Sequence, residues 1–482
     1  MTAPAPAHGR VVLEALRLDL EPETAVRERA RYAVESGAGG FIVFGGESDQ
    51  VCGLIADLRA AATYPLWIGS DLERGAGQQF SGLATLPPPA GLAAHQDPVA
   101  AAAQAGRLTG RDARALGIDL VFAPVLDIDI EPNNPIVGSR AFSADPETVA
   151  RLGTAWIAGC QSEGVLACAK HFPGHGRTLA DSHAEVPRVQ AGLDQLEADL
   201  MPFRHVAADV AAIMSAHVCY PALASERPAT FAPEILEDLL RGEMGFCGLI
   251  ITDAMNMSGF LDAETGTGHP AVEALLAGCD LLLYPNDLET AVEALRGAAE
   301  REPEVRRRLV AAIARAEDVR RRFLFEPAPA SVGVADLTPF ELALGCVTWS
   351  APRPAWLHSD QPIRVLPIWD DREQPGRQPF GDEFMADLRH AGWNVDSAGD
   401  DSPVLILVAS TPQAWKGIAG LTPSVLSAVE TALMVPAGAL LIVFGHSRLV
   451  AELGGGICAW GTEPAMERAA ARSIRETTGA TG

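Results

Sequence analysis

The sequence predicts an α/β protein with a (β/α)8 TIM-like barrel followed by a small α/β sandwich-type domain. Three observations lead to this fold class. Short apolar runs alternate with longer segments of helical period, the runs are largely continuous in apolar residues, and eight of them fall within residues 11–285. Continuous apolar strands indicate burial on both faces, as in a parallel sheet. Eight strand–helix units are typical of a closed barrel, and a doubly wound open sheet is the structural alternative.

The predicted barrel strands are the eight apolar runs. They span 11–18, 39–46, 65–72, 119–128, 166–172, 211–218, 248–255 and 280–285. The segments between them are rich in Ala, Glu and Arg and have helical period, which predicts helices. The predicted helices span 21–36, 48–62, 97–116, 145–163, 193–210, 233–243, 270–277 and 287–323.

The pattern changes after residue 325. A Pro- and Ala-rich stretch over 326–340 predicts a linker between the barrel, 1–325, and a C-terminal α/β domain, 341–482. Because strands and helices alternate in that domain, we expect a parallel sheet there. Its predicted strands span 362–368, 403–410, 439–446 and 455–461, and its predicted helices span 381–391, 422–433 and 463–476. The domain has neither a phosphate loop nor a G-x-G-x-x-G fingerprint, so we expect no cofactor.

Composition and charge limit the kinds of partner. The 482 residues are 48% hydrophobic and 21% charged, which is ordinary for a globular protein, and the net charge is −25. Such an acidic chain argues against nucleic acid or an anionic membrane as the partner. The eight cysteines form no C-x-x-C pair, and the first ten residues contain no apolar run typical of a signal peptide. We therefore expect a cytoplasmic protein with reduced cysteines.

Charged residues concentrate where the apolar strands end, which is where a barrel carries its reactive groups. These strand-end residues are Asp71, Glu73, Arg74, Asp127, Asp129, Arg140, Lys170, His171, His217 and Asp253. Asp253 stands between the apolar stretches "GLIIT" and "AMNM". It is interpreted either as a helix N-cap or as a carboxylate nucleophile or general base.

The segment "KHFPGHGRTLADSH", residues 170–183, holds three histidines and an aspartate in a stretch whose glycines and proline predict a loop. Three interpretations compete. His171-x3-His175, completed by His183 and Asp181, has the spacing of a metal site, although the loop gives it no helical geometry. Alternatively, the histidines hydrogen-bond a tight loop. In the third interpretation, Asp181 and His183 point the same way in an extended loop, and the carboxylate orients an imidazole that exchanges protons near neutral pH.

Five motifs, taken in order, resemble glycoside hydrolase family 3 and, more narrowly, its β-N-acetylglucosaminidase branch. They are "FAPVLDID", "NNPIVGSRAFSADP", "AKHFPGHGRTLADSH", "IMSAHVCYPAL" and "GLIITDAMNM". The resemblance covers residues 10–325 and is most specific over 117–258. The C-terminal part resembles a shortened version of the family's α/β-sandwich domain. The resemblance implies a retaining mechanism with a covalent glycosyl-enzyme.

The resemblance also implies roles for single residues. Asp253 matches the nucleophile, which attacks the anomeric carbon. His183, paired with Asp181, matches the acid/base of the branch, which protonates the leaving oxygen and then deprotonates the incoming water. Contacts with sugar hydroxyls are expected from four matching positions, which are Asp71, Arg140, Lys170 and His171.

One stretch departs from the branch. Where the branch usually has D-x-E-G-G-R-V-Q-R-F, this chain has "DLERGAGQQF", so that Arg74 replaces a glycine and Ala76 replaces the substrate-contacting arginine. Either Arg74 reaches the same hydroxyls from a shifted position, or that contact is lost. His175 is expected to brace its loop rather than to contact substrate.

The leading hypothesis is an exo-acting β-N-acetylglucosaminidase that takes a small carbohydrate substrate and needs neither metal nor cofactor. In the cytoplasm that substrate is expected to resemble a cell-wall fragment, which predicts a role in peptidoglycan recycling. A phosphorylase is the first alternative, because a histidine acid/base does not repel an incoming phosphate dianion. The others are a β-glucosidase on the same fold, a catalytically silent sugar-binding protein and a metal-dependent barrel hydrolase.

Overall fold

The structure, a computed structural model, describes residues 7–179, 186–224, 227–256, 269–325, 337–369, 380–410 and 420–476. The predicted acid–base pair, Asp181 and His183, lies outside these ranges, as does most of the predicted linker. The described residues form a barrel and a smaller C-terminal domain.

Eight parallel strands close the predicted barrel. They are β1 (Val12–Arg17), β2 (Gly40–Phe44), β3 (Trp67–Ser70), β4 (Leu120–Val121), β5 (Leu166–Phe172), β6 (Ala212–Ser215), β7 (Leu249–Thr252) and β8 (Leu282–Leu283). From β1 to β7 each strand pairs with the next along the chain, and β8 pairs with β1. A parallel bridge between Ile251 and Leu281 joins β7 to the β8 segment. The predicted (β/α)8 barrel is therefore confirmed, and the open sheet is excluded.

The fourth strand is shorter than predicted. The sequence indicated a strand over 119–128, whereas β4 ends at Val121. The regular ladder stops there because Pro124 has no N–H to donate. The amide of Leu126 then donates to the carbonyl oxygen of Lys170 at 2.7 Å, which keeps this segment beside β5.

The strands are buried on both faces, which explains why they are apolar throughout. In β1, Leu13 and Ala15 pack in the same cluster as Phe122, inside the barrel. Val12 and Leu16 alternate with them and pack outward in the larger cluster that includes the helices.

Helices surround the barrel. They are α1 (Glu23–Glu35), α2 (Ser48–Ala61), α3 (Pro89–Ala93), α4 (Pro98–Leu116), α5 (Pro146–Ser162), α6 (Leu193–Val206), α7 (Pro270–Ala277), α8 (Leu288–Arg301) and α9 (Pro303–Arg320). A π-helical segment, Glu234–Glu243, takes the place of the helix predicted over 233–243. The single helix predicted over 287–323 is wrong, because Pro303 lacks an N–H and disfavours helical geometry at Glu302.

The boundaries of two long helices follow from their caps. Asp97 precedes α4 and accepts a hydrogen bond from the amide of Ala100 at 3.1 Å, and a proline follows the cap at the first helical position. Asp145 caps α5 in the same way. Both patterns are typical of helix starts. Among the described helices, none combines the length and apolar composition needed to cross a bilayer.

The C-terminal domain contains a mixed five-stranded sheet in the order β10-β11-β12-β13-β9. Its strands are β9 (Thr348–Trp349), β10 (Arg364–Ile368), β11 (Val404–Ser410), β12 (Ala439–Gly445) and β13 (Ile457–Cys458). Its helices are α10 (Pro339–Cys346), α11 (Asp382–His390), α12 (Pro423–Leu433), α13 (Ser447–Glu452) and α14 (Pro464–Glu476). The four predicted strands are parallel, but β9 runs antiparallel to β13, so the expectation of a purely parallel sheet is wrong. A two-residue strand has no periodic pattern that a sequence can reveal.

The C-terminal domain packs against the barrel near its mouth. The buried ring of Trp460 lies so close to α3 that a Cβ on Gly91 would approach it to 3.1 Å. Arg448, at the start of α13, donates to Asp129 in the segment after β4. The ends of β12 and β13 therefore lie beside the end of the barrel at which β3 and β4 deliver their charged residues.

Candidate active site

A cavity of about 500 Å³ lies at the carboxyl ends of the barrel strands. Side chains that are far apart in sequence meet there, because parallel strands bring their carboxyl ends to the same edge of a barrel. Six of the predicted site residues line this cavity: Asp71, Arg74, Arg140, Lys170, His171 and Asp253.

A buried carboxylate, Glu73, organises one side of the cavity. Arg140 donates to both of its oxygens, from Nη2 to Oε1 at 2.7 Å and from Nε to Oε2 at 2.9 Å. The Nζ of Lys170 lies 2.7 Å from Oε1. Burial opposes ionisation of Glu73, but Arg140 and Lys170 outweigh it and hold the pKa of Glu73 well below its usual value. The sequence placed Glu73 at a strand end and assigned it no role.

Lys170 extends this network to Asp71. Its Nζ donates to Asp71 Oδ1 at 2.7 Å. Burial works against the charge on Lys170, but Asp71 and Glu73 outweigh it and raise its pKa. The side chain of Lys170 is 3% exposed, whereas that of Asp71 is 28% exposed. Asp71 therefore presents to the cavity a carboxylate whose position Lys170 fixes, and such a group accepts strong hydrogen bonds from hydroxyls.

His171 is oriented by Asp127, a buried carboxylate that the sequence also left without a role. The Nδ1 of His171 lies 2.7 Å from Asp127 Oδ2. Asp127 Oδ1 accepts from the backbone amide of His171 at 3.2 Å and from that of His175 at 2.6 Å. Burial opposes ionisation of Asp127, but the two histidines outweigh it and lower its pKa. Because Nδ1 faces Asp127, the opposite edge of the His171 ring is directed into the cavity.

His175 braces its loop, as predicted, although its ring also borders the cavity. Its Nδ1 lies 2.7 Å from Thr178 Oγ1, and its carbonyl oxygen accepts from Asn134 Nδ2 at 3.0 Å. Burial lowers the pKa of His175 to about 4, so its ring is neutral at pH 7.

Asp253 directly follows β7 and is ionised near neutral pH. Burial opposes its ionisation, but His171, His217, the amide of Ala254 and Lys170 outweigh it and lower its pKa. Its Oδ1 accepts from the amide of Ala254 at 2.7 Å. That amide is the adjacent one, whereas an N-cap side chain accepts from an amide two or three residues further on. The geometry therefore does not match the N-cap interpretation, and it leaves an ionised carboxylate at the wall of the cavity.

His217 holds the turn that carries Asp253. Its Nδ1 lies 2.8 Å from Thr230 Oγ1, and its Nε2 lies 3.3 Å from the carbonyl oxygen of Ala254. Burial lowers the pKa of His217 more than the nearby Asp253 raises it. His217 was predicted only as a strand-end residue.

Arg74 and Ala76, the two residues that depart from the pattern of the branch, have different environments in the structure. Ala76 is fully buried at the start of a short 3-10 turn, so position 76 does not face the cavity. Arg74 lines the cavity and forms an ion pair with Glu463 of the C-terminal domain. A cationic side chain is therefore present on the cavity wall, but it belongs to position 74 rather than position 76.

Several other residues that line the cavity were not predicted, and three of them lie at strand ends. Arg17 and Phe44 are the last residues of β1 and β2, and Tyr284 follows β8. The guanidinium carbon of Arg17 lies 4.9 Å from the centroid of the Phe44 ring, and the rings of Phe44 and Tyr284 are 6.3 Å apart. Their position at the ends of predicted strands was the signal that could have identified them.

No three His, Cys, Asp or Glu side chains among the described residues are grouped so as to hold a metal ion. His171 and His175 direct their Nδ1 atoms to different partners, Asp127 and Thr178. The rest of the predicted metal cluster, at positions 181 and 183, lies outside the described residues.

Known proteins share this domain and this two-domain arrangement. The profile of the glycosyl hydrolase family 3 N-terminal domain matches residues 19–319. A beta-hexosaminidase from Tolumonas auensis is 40% identical over 299 residues, which are 60% of this chain and 86% of that protein. A solved family 3 β-N-acetylglucosaminidase from Paenibacillus sp. strain FPU-7 superposes with a TM-score of 0.81 at 27% identity, covering 99% of this chain and 97% of the other.

The barrel alone is also similar to a smaller enzyme. NagZ from Neisseria gonorrhoeae is 35% identical, with a TM-score of 0.52 that covers 62% of this chain and 87% of that one. The matched domain spans more than half of the chain and carries all of the residues that line the cavity except Arg17. The resemblance seen in the sequence motifs is thus confirmed: this protein belongs to glycosyl hydrolase family 3.

Proposed function

We propose that this protein is a retaining exo-β-N-acetylglucosaminidase that hydrolyses terminal β-linked N-acetylglucosamine. The observation that carries the proposal is a single cavity lined by both an ionised carboxylate, Asp253, and a fixed set of hydroxyl-binding charges around Lys170. The similarity to a beta-hexosaminidase and to a β-N-acetylglucosaminidase supports the choice of sugar.

In the first chemical step, a carboxylate oxygen of Asp253 forms a bond to the anomeric carbon while the bond from that carbon to the leaving oxygen breaks. The product is a covalent glycosyl-aspartate, and the configuration at the anomeric carbon is inverted. A low pKa supports this role, because only the ionised form of Asp253 has the electron pair that makes the bond.

His183 is proposed as the acid/base, with Asp181 as its partner. Its imidazolium gives a proton to the leaving oxygen, and the neutral imidazole then takes a proton from water. That water attacks the anomeric carbon and releases Asp253, so the second inversion restores the original configuration. This assignment rests on the sequence motif, because both residues lie outside the described part of the chain.

The remaining predicted residues are proposed to hold the terminal sugar. Asp71 accepts hydrogen bonds from hydroxyls, and Lys170 and His171 also contact sugar hydroxyls. Arg140 is held by two hydrogen bonds to the Glu73 carboxylate and lines the cavity wall. Arg74 supplies a further donor. Groups held this rigidly are suited to orient a sugar, because little motion is lost when it binds.

The biological substrate is proposed to be a cell-wall fragment in which N-acetylglucosamine is linked to an N-acetylmuramic acid unit. The proposal places the protein in the cytoplasm and in peptidoglycan recycling. Both parts of this proposal rest on the resemblance of the sequence motifs to the β-N-acetylglucosaminidase branch.

The proposal is tested with aryl glycosides. We would compare hydrolysis of 4-nitrophenyl β-N-acetylglucosaminide and 4-nitrophenyl β-glucoside by the purified protein, each with and without inorganic phosphate. A preference for the N-acetyl sugar that phosphate does not change supports the proposal. Release of a sugar 1-phosphate would instead assign a phosphorylase, and preference for the glucoside would assign a β-glucosidase.

A further inference from the structure

Within the described part of the chain, ion pairs join the C-terminal domain to the barrel at two places beside the cavity. Glu463 pairs with Arg74, which follows β3. Asp129, which follows β4, lies 3.0 Å from His446 Nε2 and 2.6 Å from Arg448 Nη1. The two pairs have opposite polarity, because the barrel supplies the cation in the first and the anion in the second. This pattern fixes how the C-terminal domain meets the two loops.

Glu463 is held in place by its own domain. It lies in the segment after β13, where Trp460 has a φ of 60°, a conformation that few residues other than glycine adopt. The indole of Trp460 donates to the carbonyl oxygen of Cys346 at 2.9 Å, which anchors this segment. The Glu463 carboxylate lies directly against Gly461. A side chain at position 461 would clash with it, because its Cβ would lie 2.2 Å from Glu463 Oε2. Glu463 is therefore a rigid, buried partner.

Arg74 has a fixed backbone and a long side chain. Its amide donates to Gln78 Oε1 at 2.8 Å, and its carbonyl oxygen accepts from the amide of Leu86 at 2.7 Å. Its side chain is 21% exposed, whereas that of Glu463 is 6% exposed. The exposed part of Arg74 borders the cavity, and Glu463 does not line it. Glu463 therefore contacts the guanidinium from the protein side, opposite the space a ligand would fill.

We propose that Glu463 is a positioning residue for sugar binding, because it orients the Arg74 guanidinium. In this way a residue of the C-terminal domain affects the affinity of the site, although Glu463 itself does not line the cavity. A flexible arginine loses freedom when it binds a ligand, and a buried partner removes part of that cost beforehand. The inference deepens the proposed function, since it takes Arg74 as a contact of the terminal sugar.

The test is a double-mutant cycle of Glu463→Gln, Arg74→Ala and the combined variant in the full-length chain. We would measure KM and kcat for 4-nitrophenyl β-N-acetylglucosaminide, and the Kd of N-acetylglucosamine and of glucose by calorimetry. Glu463→Gln keeps the side-chain volume and is expected to raise KM and Kd about 10-fold with kcat nearly unchanged, as for the loss of one charge-assisted hydrogen bond. In the Arg74→Ala background, Glu463→Gln is expected to change neither KM nor Kd, because the guanidinium that Glu463 orients is absent.

Arg448→Ala is the matched control. It removes the ion pair between Arg448 and Asp129 across the same boundary. We expect it to lower the thermal midpoint while leaving the sugar Kd unchanged. If Glu463→Gln leaves KM and Kd unchanged, or changes them equally with and without Arg74, the positioning role is wrong and the pair only joins the domains. If the wild-type chain binds neither sugar, the proposed function and this inference fail together, whereas a wild-type chain that binds sugar isolates the test of Glu463.

Discussion

The barrel has a buried carboxylate between cations at each end, and the two ends use them differently. At the amino ends of β7 and β8, Asp280 is fully buried. Its Oδ2 accepts from Arg241 Nη2 at 2.6 Å and from the amide of Ile250 at 2.9 Å, and its Oδ1 accepts from Arg315 Nη1 at 2.5 Å. Each of these contacts is made with the protein itself, so this cluster joins the π-helical segment and α9 to the sheet.

At the carboxyl ends, Glu73 has a similar set of cationic partners, Arg140 and Lys170. The difference is that Lys170 is shared with Asp71, whose side chain is 28% exposed at the cavity. The Asp71 carboxylate therefore remains available to a ligand, while Lys170 and Glu73 keep it in position. The comparison teaches that burial and pairing do not themselves mark a binding site. A member of the network that lines the cavity, as Asp71 does, marks the site. Partial exposure alone does not, since Arg315 in the other cluster is 26% exposed.

The largest effect is expected at Asp253, which belongs to neither cluster. Asp253→Ala should lower kcat on aryl glycosides by about 10⁴-fold or more, because the proposed mechanism assigns the covalent intermediate to this carboxylate alone. The thermal midpoint should stay near that of the wild type, since the Asp253 carboxylate contacts mainly the adjacent amide of Ala254. Turnover and thermal unfolding would be measured on the same preparations. Substantial residual turnover would assign the nucleophile to another residue.

His183→Ala tests the proposed acid/base. General acid catalysis contributes about 10²- to 10⁴-fold, and that contribution matters only when the leaving group needs a proton. We therefore expect a loss in that range on a natural disaccharide and a much smaller loss in glycosylation with 2,4-dinitrophenyl N-acetylglucosaminide. Equal losses with both substrates, measured by pre-steady-state release of the leaving group, would count against His183 as the acid.

Glu73→Gln breaks the cluster at the carboxyl ends. Removing one partner of a buried ion pair costs about 3–5 kcal/mol of stability, because it leaves Lys170 and Arg140 without their common carboxylate. It should also lower kcat/KM by about 100-fold, since both cations then lose their orientation toward the sugar. Urea unfolding and steady-state kinetics at a temperature well below the midpoint separate the two effects.

Asp280→Asn is the corresponding change at the amino ends. It should lower the free energy of unfolding by a similar amount, about 3–5 kcal/mol, because Arg241 and Arg315 lose their buried anion. We expect KM and kcat of the folded fraction to stay within about two-fold of the wild type, since this cluster is remote from the cavity. A large change in KM would show that the two ends are coupled and would remove the contrast between them.

The sequence predicted the features of the barrel that follow from the periodicity of its apolar residues. Continuous apolar runs identified the barrel, and the rule that strand ends meet at one edge grouped Asp71, Lys170 and Asp253 before any contact was known. The order of motifs then assigned a family. These inferences succeed because they depend on local pattern and on the topology of parallel strands.

The contacts that organise the site could not be predicted in the same way. Glu73 and Asp127 were visible as strand-end carboxylates, but their roles depend on which cations face them once the loops have folded. The partnership of Glu463 with Arg74 joins residues from two domains, and no local pattern encodes how domains dock. Strand β9 was not predicted for a related reason, since a strand of two residues has no periodic pattern. The helix break is different, because Pro303 disfavours a continuous helix and was a signal that could have predicted the break.

The smallest effect concerns pH and the loop that follows β5. Burial holds the pKa of His175 at about 4 in the folded protein, while an unfolded histidine has a pKa of about 6.5. As the pH falls below 6.5, the unfolded chain binds a proton at this position and the folded chain does not, so stability is lost. Between pH 6.5 and 5 this histidine alone should cost about 2 kcal/mol.

His175→Asn isolates that contribution, because asparagine does not titrate and retains a polar group that can face Thr178. The variant should be less stable than the wild type at pH 7.5, where the wild-type ring is neutral and hydrogen-bonded to Thr178. Its free energy of unfolding should then fall less steeply from pH 6.5 to 5. Urea unfolding at several pH values measures both slopes. Parallel slopes would mean that His175 takes up its proton in the folded protein as readily as in the unfolded chain, and that the loop does not shield it from water.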